Sequence, residues 1–273
     1  MSDIIYYIEI FTQFKSLGGA VAVGAFYFVS ISKAFQETFQ RPSLVVVMST
    51  LFCAIRLPSF VMRALISEAL SRGEIPNFNF FIAHQVLFGV GIVVLLYALY
   101  ILVLTRELEE TSNESLRELF TGTGPSTHPF NRFTGNQMVF WAIAMPAVVL
   151  GIVGPCLGEI TNPNKGSALY QASTVMFLVL TILVVYRTFL TARAEITSGY
   201  QYSGESRGAG AYTICIISVL VLLRGCYGVA TMGDLVEQND EHLWYPLFVV
   251  PEILSVMTIV ARRLTPPRYE LPA

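Results

Sequence analysis

The chain has 273 residues, of which 54% are hydrophobic and only 13% are charged, and its mean hydropathy is +0.60. This composition leaves too little polar surface for a soluble globule of that size, so it predicts an integral membrane protein. The formal net charge is -2 and no run of five or more basic residues occurs, which excludes a nucleic-acid-binding surface.

Seven apolar segments follow one another along the chain, each close to the roughly 20 residues that a helix needs to cross a bilayer. They predict an all-α seven-helix transmembrane bundle that uses residues 1–273 as a single domain. The predicted spans are residues 13–31, 43–66, 80–105, 137–156, 167–186, 209–232 and 242–260. Residues 1–5 lack the basic region of a cleavable signal, so we expect the first span to remain in the mature protein.

The distribution of Lys and Arg predicts how the bundle lies in the membrane. Eleven of these residues follow spans one, three, five and seven, whereas three lie on the opposite side. By the positive-inside rule, the N-terminus is expected to be lumenal or extracellular and the C-terminus cytosolic. The sequon at Asn113 then lies in the cytosolic loop 106–136, so we predict that it is not glycosylated. That loop and residues 199–210 are expected to be mobile.

No cofactor motif is present in the sequence. The four cysteines lack metal-type spacing and are interpreted as small core residues rather than a disulfide framework. Phosphate-binding glycine loops, H-E-x-x-H zinc pairs and nucleophile elbows are also missing from the sequence. We therefore expect no metal, nucleotide or flavin.

Several predicted spans contain charged side chains. Inserting a charged side chain at the centre of a transmembrane helix costs about 2.5–3.5 kcal/mol of free energy, so such a residue usually has a partner inside the protein. At 1.5 Å per residue, Arg56 and Glu252 lie about 15 Å from the outer ends of their spans, and Arg224 about 12 Å. These similar depths predict one shared compartment. Arg63 lies near an outer end and is expected to extend to the interface. His84 is interpreted as a hydrogen-bonded structural histidine.

Glycine and proline residues inside the spans predict local departures from regular packing. Gly18-Gly19 with Gly24, and Gly89 with Gly91, are expected where helices approach each other closely. Prolines remove backbone donors and are expected to open kinks at positions 58, 146, 155, 246 and 251.

The outer halves of spans two, three, six and seven are expected to converge on one pocket. Its predicted lining is Arg56, His84, Arg224, Tyr227, Trp244, Tyr245 and Glu252. An acidic lumenal rim is expected from Glu159, Asp234, Glu237, Asp240 and Glu241. In a structural interpretation, Arg224 and Glu252 neutralise each other and fix the packing of adjacent helices. In a functional one, the charges mark a substrate route or a reaction centre.

An aromatic pocket without a cofactor suits an isoprenoid substrate. A carboxylic acid can protonate an epoxide or alkene, and aromatic faces stabilise the resulting carbocation. Burial favours the neutral acid that this step needs. A pair with Arg224 would instead hold Glu252 as a carboxylate, and the proton would then have to come from Asp234 or Glu159.

The C-terminal part carries the pattern Leu-Arg-Gly-Cys-Tyr at 223–227 and Glu-His-Leu-Trp-Tyr at 241–245, followed by Pro251. This pattern resembles the last two helices of the fungal lipid-translocating exporters, seven-helix proteins linked to sphingoid-base export and toxin resistance. Residues 251–268 also resemble the end of the plant tobamovirus-multiplication seven-helix proteins. In size and architecture the chain resembles the membrane-bound terpene cyclases of fungal meroterpenoid pathways, which need no cofactor and act on farnesylated phenols in internal membranes.

These features predict a cofactor-independent terpene cyclase of meroterpenoid biosynthesis, an isomerase- or lyase-type enzyme in the endoplasmic reticulum or another internal membrane. Its substrate would be a prenylated, epoxidised farnesyl aromatic compound, and its partners membrane lipids. The expected roles are proton donation by Glu252 or Asp234, substrate binding by Arg56, His84 and Arg224, and lining of the cation path by Tyr227, Trp244 and Tyr245. The alternatives are a lipid exporter or sensor whose charges bind a head group, and a non-catalytic scaffold.

Overall fold

The computed structural model describes residues 16–40, 43–74, 78–111, 137–160, 163–198, 209–233 and 240–261. Within these residues the chain forms seven long helices and no strand. They are α1 (Leu17–Gln40), α2 (Leu44–Ser71), α3 (Phe78–Thr111), α4 (Gln137–Ile160), α5 (Pro163–Ser198), α6 (Ala209–Ala230) and α7 (Glu241–Ala261). Each is long and apolar enough to cross a membrane, which confirms the predicted seven-helix, multi-pass architecture.

Several helices extend beyond the apolar segments that predicted them. α1 continues to Gln40 and α5 to Ser198, whereas the corresponding predicted spans end at residues 31 and 186. The backbone hydrogen bonds of a helix are internal, so the helix persists after hydropathy falls. α3 likewise runs to Thr111, and the start of the predicted loop 106–136 is therefore helical. Residues 112–136 and 199–208 lie outside the described residues.

α3 is the central helix of the bundle. In its most apolar stretch 67% of the residues are buried, against 22% in α1 and 22% in α4. A helix that is apolar on all sides is stable where other helices surround it, and α3 contacts α2, α4, α5 and α6. α3 contacts one of the two ion clusters described below and contributes residues to the other.

Two of the predicted close contacts at glycine are confirmed. A Cβ added at Gly19 would lie 3.0 Å from the Tyr245 side chain, and one at Gly91 would lie 3.1 Å from the Arg56 guanidinium. Glycine therefore lets these two large side chains lie directly against α1 and α3. A Cβ added at Gly24 would make an ordinary contact, 3.9 Å from Phe60 Cβ. The prediction is wrong for Gly18 and Gly89, since nothing lies within 4 Å of a Cβ added at either residue.

The contact between α4 and α5 depends on Gly154. A Cβ added there would lie 2.9 Å from the backbone oxygen of Gly166 and 2.9 Å from the backbone nitrogen of Tyr170. Both neighbours are backbone atoms, which cannot move aside as a flexible side chain can. The two helix axes would have to separate to admit a methyl group.

We expect Gly154→Ala to destabilise the protein by about 1–3 kcal/mol, the usual cost of overpacking a tight contact. Unfolding in mixed micelles, followed by circular dichroism, measures this change. Gly18→Ala is the matched control, because its added methyl group meets nothing within 4 Å. That control should be neutral or stabilising by up to about 1 kcal/mol, since Ala favours a helix over Gly. Equal effects of both substitutions would contradict the close-contact argument.

α7 departs from regular α-helix near Pro246, as predicted. Residues Tyr245–Val249 form a π-helical segment, in which the Val250 N–H donates to the Tyr245 carbonyl. Proline lacks a backbone N–H and disrupts the usual bonding, and single π turns are frequent at functional sites. The segment lies directly before Glu252, whereas α2 continues as an α-helix through Pro58.

Candidate functional site

Glu252 is the meeting point of four helices. Its Oε1 atom accepts hydrogen bonds from Arg56 Nη2 on α2 and from Arg224 Nε on α6. Tyr27 Oη on α1 lies 3.4 Å from Oε2. The side chains of Arg56 and Glu252 are completely buried. The shared compartment predicted for these two arginines and Glu252 is thus present, and the three side chains form what we call the Glu252 cluster.

Aromatic rings cover both guanidinium groups of the cluster. The guanidinium carbon of Arg56 lies 3.8 Å from the ring centre of Phe88, and Arg56 Nη1 donates to the Phe88 carbonyl at 3.0 Å. The guanidinium carbon of Arg224 lies 4.0 Å from the ring centre of Phe248. Such cation–π contacts contribute about 0.5–2 kcal/mol each when the cation is desolvated. Sequence reasoning missed Tyr27 and Phe88, because nothing in the sequence says which helices are neighbours.

The expectation that Arg63 extends to the membrane interface is wrong. Arg63 is 1% exposed, its guanidinium carbon lies 3.9 Å from the Trp244 ring centre, and Nη2 lies 3.4 Å from Glu241 Oε1. Glu241 and Trp244 are three residues apart on α7 and therefore present a carboxylate and a ring on one face. Arg63 therefore packs against the first turn of α7 instead of extending to solvent.

The remaining predicted pocket residues lie around the Glu252 cluster. His84 Nδ1 is 2.9 Å from Ser59 Oγ and 3.0 Å from the Ser59 carbonyl, which confirms a hydrogen-bonded structural histidine. Trp244 stacks on Phe248 with ring centres 6.1 Å apart.

The two predicted tyrosines also pack against aromatic neighbours. Tyr227 meets Phe248 edge-on at 6.0 Å, and Tyr245 meets Trp244 edge-on at 5.0 Å. Of the predicted acidic rim, Asp240 caps α7 by accepting a hydrogen bond from the His242 backbone N–H at 3.2 Å. Three members of the rim cannot be assigned a position, since Asp234, Glu237 and the side chain of Glu159 lie outside the described residues.

A cavity adjoins the cluster between α3, α5, α6 and α7. Its volume is about 70 Å³, and it is partly open to the outside. Arg224 is its charged wall, and the rings of Phe88, Phe177 and Phe248 are its aromatic walls. The other lining residues are Gln85, Gly89, Ile92, Gly151, Tyr170, Ser173, Thr174, Leu178, Thr181, Gly225 and Gly228. The sequence did not predict that α5 lines this cavity. The polar residues of α5 are scattered along an apolar span and form no motif that would indicate a site.

A second set of buried charges joins α3 to α5 at the other end of the bundle. Arg187 contacts Glu107 through Nε at 3.2 Å and through Nη2, and Thr191 Oγ1 donates to Glu107 at 2.9 Å. Arg106 lies 3.1 Å from Glu195. We call these five residues the α3–α5 network. Its two arginines were expected in loops, but both lie on helices. Arg187, Thr191 and Glu195 are four residues apart in turn, so they lie on one face of α5.

The Glu252 cluster and its cavity form the candidate site, and their arrangement suits binding of a molecule that is both polar and apolar. Comparison of the chain with protein-family models, with curated proteins and with solved structures finds no match.

Proposed function

We propose that the chain binds an amphiphilic lipid in the cavity between α3, α5, α6 and α7, with the polar head of the lipid at Arg224. One observation carries the proposal. Among the described residues, Arg224 uses only Nε for a hydrogen bond, so its two terminal nitrogens have no partner although the residue is 7% exposed and lines the cavity. These donors are therefore available to a bound head group, and a hydrogen bond to a charged group contributes about 1.5–3 kcal/mol.

The walls of the cavity support the same proposal. Ligand sites are lined mostly by apolar side chains, with a few polar groups that fix the orientation of the ligand. Here the polar group is the guanidinium of Arg224, and the aromatic rings form an apolar wall beside it. The bilayer would supply such a ligand directly.

Of the two activities that the sequence suggested, we propose transport or sensing of the lipid. A carboxyl group that accepts hydrogen bonds from two guanidiniums serves as their charge partner. Glu252 in this geometry stabilises the site and is poorly suited to start a cyclisation.

Photocrosslinking tests the binding proposal on the full chain in nanodiscs. A diazirine-bearing palmitate and a diazirine-bearing farnesyl phenol should both label α5 between Tyr170 and Thr181. We expect Arg224→Met to reduce labelling by about tenfold, since a hydrogen bond to a charged group contributes about 1.5–3 kcal/mol.

Arg72→Met is the matched control, because Arg72 is exposed and pairs only with Glu68 on its own helix among the described residues. It should leave the labelling unchanged. Labelling that spreads evenly over all lipid-facing helices, or that persists in Arg224→Met, would contradict a specific site in this cavity.

The second candidate function is the terpene cyclase, and the aromatic rings of the cavity favour it. Phe88, Phe177 and Phe248 could stabilise a carbocation, and Asp234, six residues after the cavity residue Gly228, would be the acid. Isolated membranes should then convert an epoxyfarnesyl phenol into a cyclic product. Asp234→Asn should abolish the product while leaving the amount of protein unchanged. Membranes that form no ring, or an Asp234→Asn variant with full activity, would remove this candidate.

We propose that the N-terminus is lumenal and the C-terminus cytosolic, in the endoplasmic reticulum or another internal membrane. Of the eleven Lys and Arg residues on the expected cytosolic side, Arg106 and Arg187 are buried in the α3–α5 network, so nine against three support this orientation. Expression in microsomes tests it. Asn113, which lies outside the described residues, should carry no sugar, whereas a sequon added in an N-terminal extension should be glycosylated. A glycosylated Asn113 would invert the topology.

A further inference from the structure

The charges of the Glu252 cluster do not balance. Arg56 and Arg224 share the one carboxylate of Glu252, and both donate to the same oxygen atom of it. Among the described residues, no second carboxylate lies within 4 Å of either guanidinium. The fourth group in contact, the Tyr27 hydroxyl, is a neutral donor. Two positive charges and one negative charge leave one positive charge in excess, inside a membrane-spanning bundle.

An uncompensated buried charge is among the most costly features that a protein can contain. The rings of Phe88 and Phe248 and the Phe88 carbonyl lower this cost, but cation–π contacts are weaker than the loss of hydration that they oppose. One further anion beside the cluster would bring its net charge to zero.

Only one of the two guanidiniums is open to such an anion. Arg56 is fully buried beneath Phe88 and Gly91, whereas Arg224 forms a wall of the cavity. The two terminal nitrogens of Arg224 are parallel donors without a partner among the described residues, which is the geometry that binds two oxygens of one carboxylate or phosphate. Gly225 and Gly228 on the same helix line this cavity beside Arg224.

We infer that the head group held at Arg224 is an anion, a carboxylate or phosphate, and not a cationic amine. This inference rests on the proposed lipid-binding function and names the class of head group. A sphingoid base, the cargo that the exporter resemblance suggests, would bring a second excess positive charge to the cluster. A fatty-acid carboxylate or a lipid phosphate would neutralise it.

A series of ligands with the same tail tests the head group separately from binding itself. The probes are palmitate, hexadecyl phosphate, hexadecanol and hexadecylamine, together with inorganic phosphate, titrated against the full chain in phosphatidylcholine nanodiscs. We expect the two anionic amphiphiles to bind at least about tenfold more tightly than hexadecanol, and hexadecylamine to bind most weakly.

Variants at Arg224 identify the source of the discrimination. Arg224→Gln should abolish the difference between anionic and neutral heads, and Arg224→Lys, which keeps the charge but not the paired donors, should retain part of it. Arg72→Gln is the matched control and should bind like the unchanged protein. Thermal unfolding of each variant without ligand verifies that it is folded.

The outcomes separate the inference from the proposed function. Equal affinity for all four heads, or tighter binding of the amine, would overturn the anionic head group while leaving lipid binding intact. Binding of inorganic phosphate alone, with no amphiphile bound, would keep the anion site and overturn its lipid origin. Failure of every probe would overturn both.

Discussion

Glu252→Gln is expected to lower the free energy of unfolding by about 3–5 kcal/mol, the cost of removing one partner from a buried ion pair. The substitution preserves the shape of the side chain but leaves Arg56 and Arg224 without a counter-charge in the bundle interior. Equilibrium unfolding in mixed micelles, followed by circular dichroism, measures the loss. The effect should be larger than that of any other substitution in the cluster.

Two comparisons test whether charge is the cause. Glu68→Gln makes the same chemical change in the exposed pair with Arg72, where the side chains are 41% and 63% exposed, and should cost less than about 1 kcal/mol. Arg56→Met leaves Arg224 and Glu252 as a neutral pair, so it should cost less than Glu252→Gln. If Glu252→Gln and Glu68→Gln have equal effects, the Glu252 cluster does not depend on its charge balance.

Glu107→Gln should have the next largest effect, about 3 kcal/mol, because it leaves the buried guanidinium of Arg187 without its carboxylate. Hydrogen exchange should then accelerate where α3 and α5 meet in the α3–α5 network, and the unfolding free energy should fall. Thr191→Val removes a single hydrogen bond to the same carboxylate and should cost only about 0.5–1.5 kcal/mol. Unchanged exchange in Glu107→Gln would show that the network does not hold the two helices together.

Most of the architecture is predictable from hydropathy, for a physical reason. A run of about 20 apolar residues must satisfy its backbone polar groups internally when it lies in lipid, and a helix does so. The ends of the helices are less predictable. α5 continues twelve residues past the predicted end at residue 186, because Arg187 and Glu195 are neutralised by partners on α3, and a hydropathy scale cannot include a partner from another helix.

The sequence predicted those features of the candidate site that depend on how deep each residue lies in the membrane. Counting 1.5 Å per residue predicted that Arg56, Arg224 and Glu252 lie at one level, and the structure joins them. Depth says nothing about which helices are adjacent. The Tyr27 contact from α1 and the polar wall of the cavity from α5 were missed for that reason.

The Glu252 cluster also has a consequence for biosynthesis. The two guanidiniums belong to α2 and α6, whereas the carboxylate that both contact belongs to α7, which is synthesised after them. Insertion of an arginine near the centre of a transmembrane helix, without a partner, costs about 2.5–3.5 kcal/mol of free energy. A nascent chain halted before α7 therefore holds two arginines in the membrane without their shared anion, and synthesis of α7 supplies that anion.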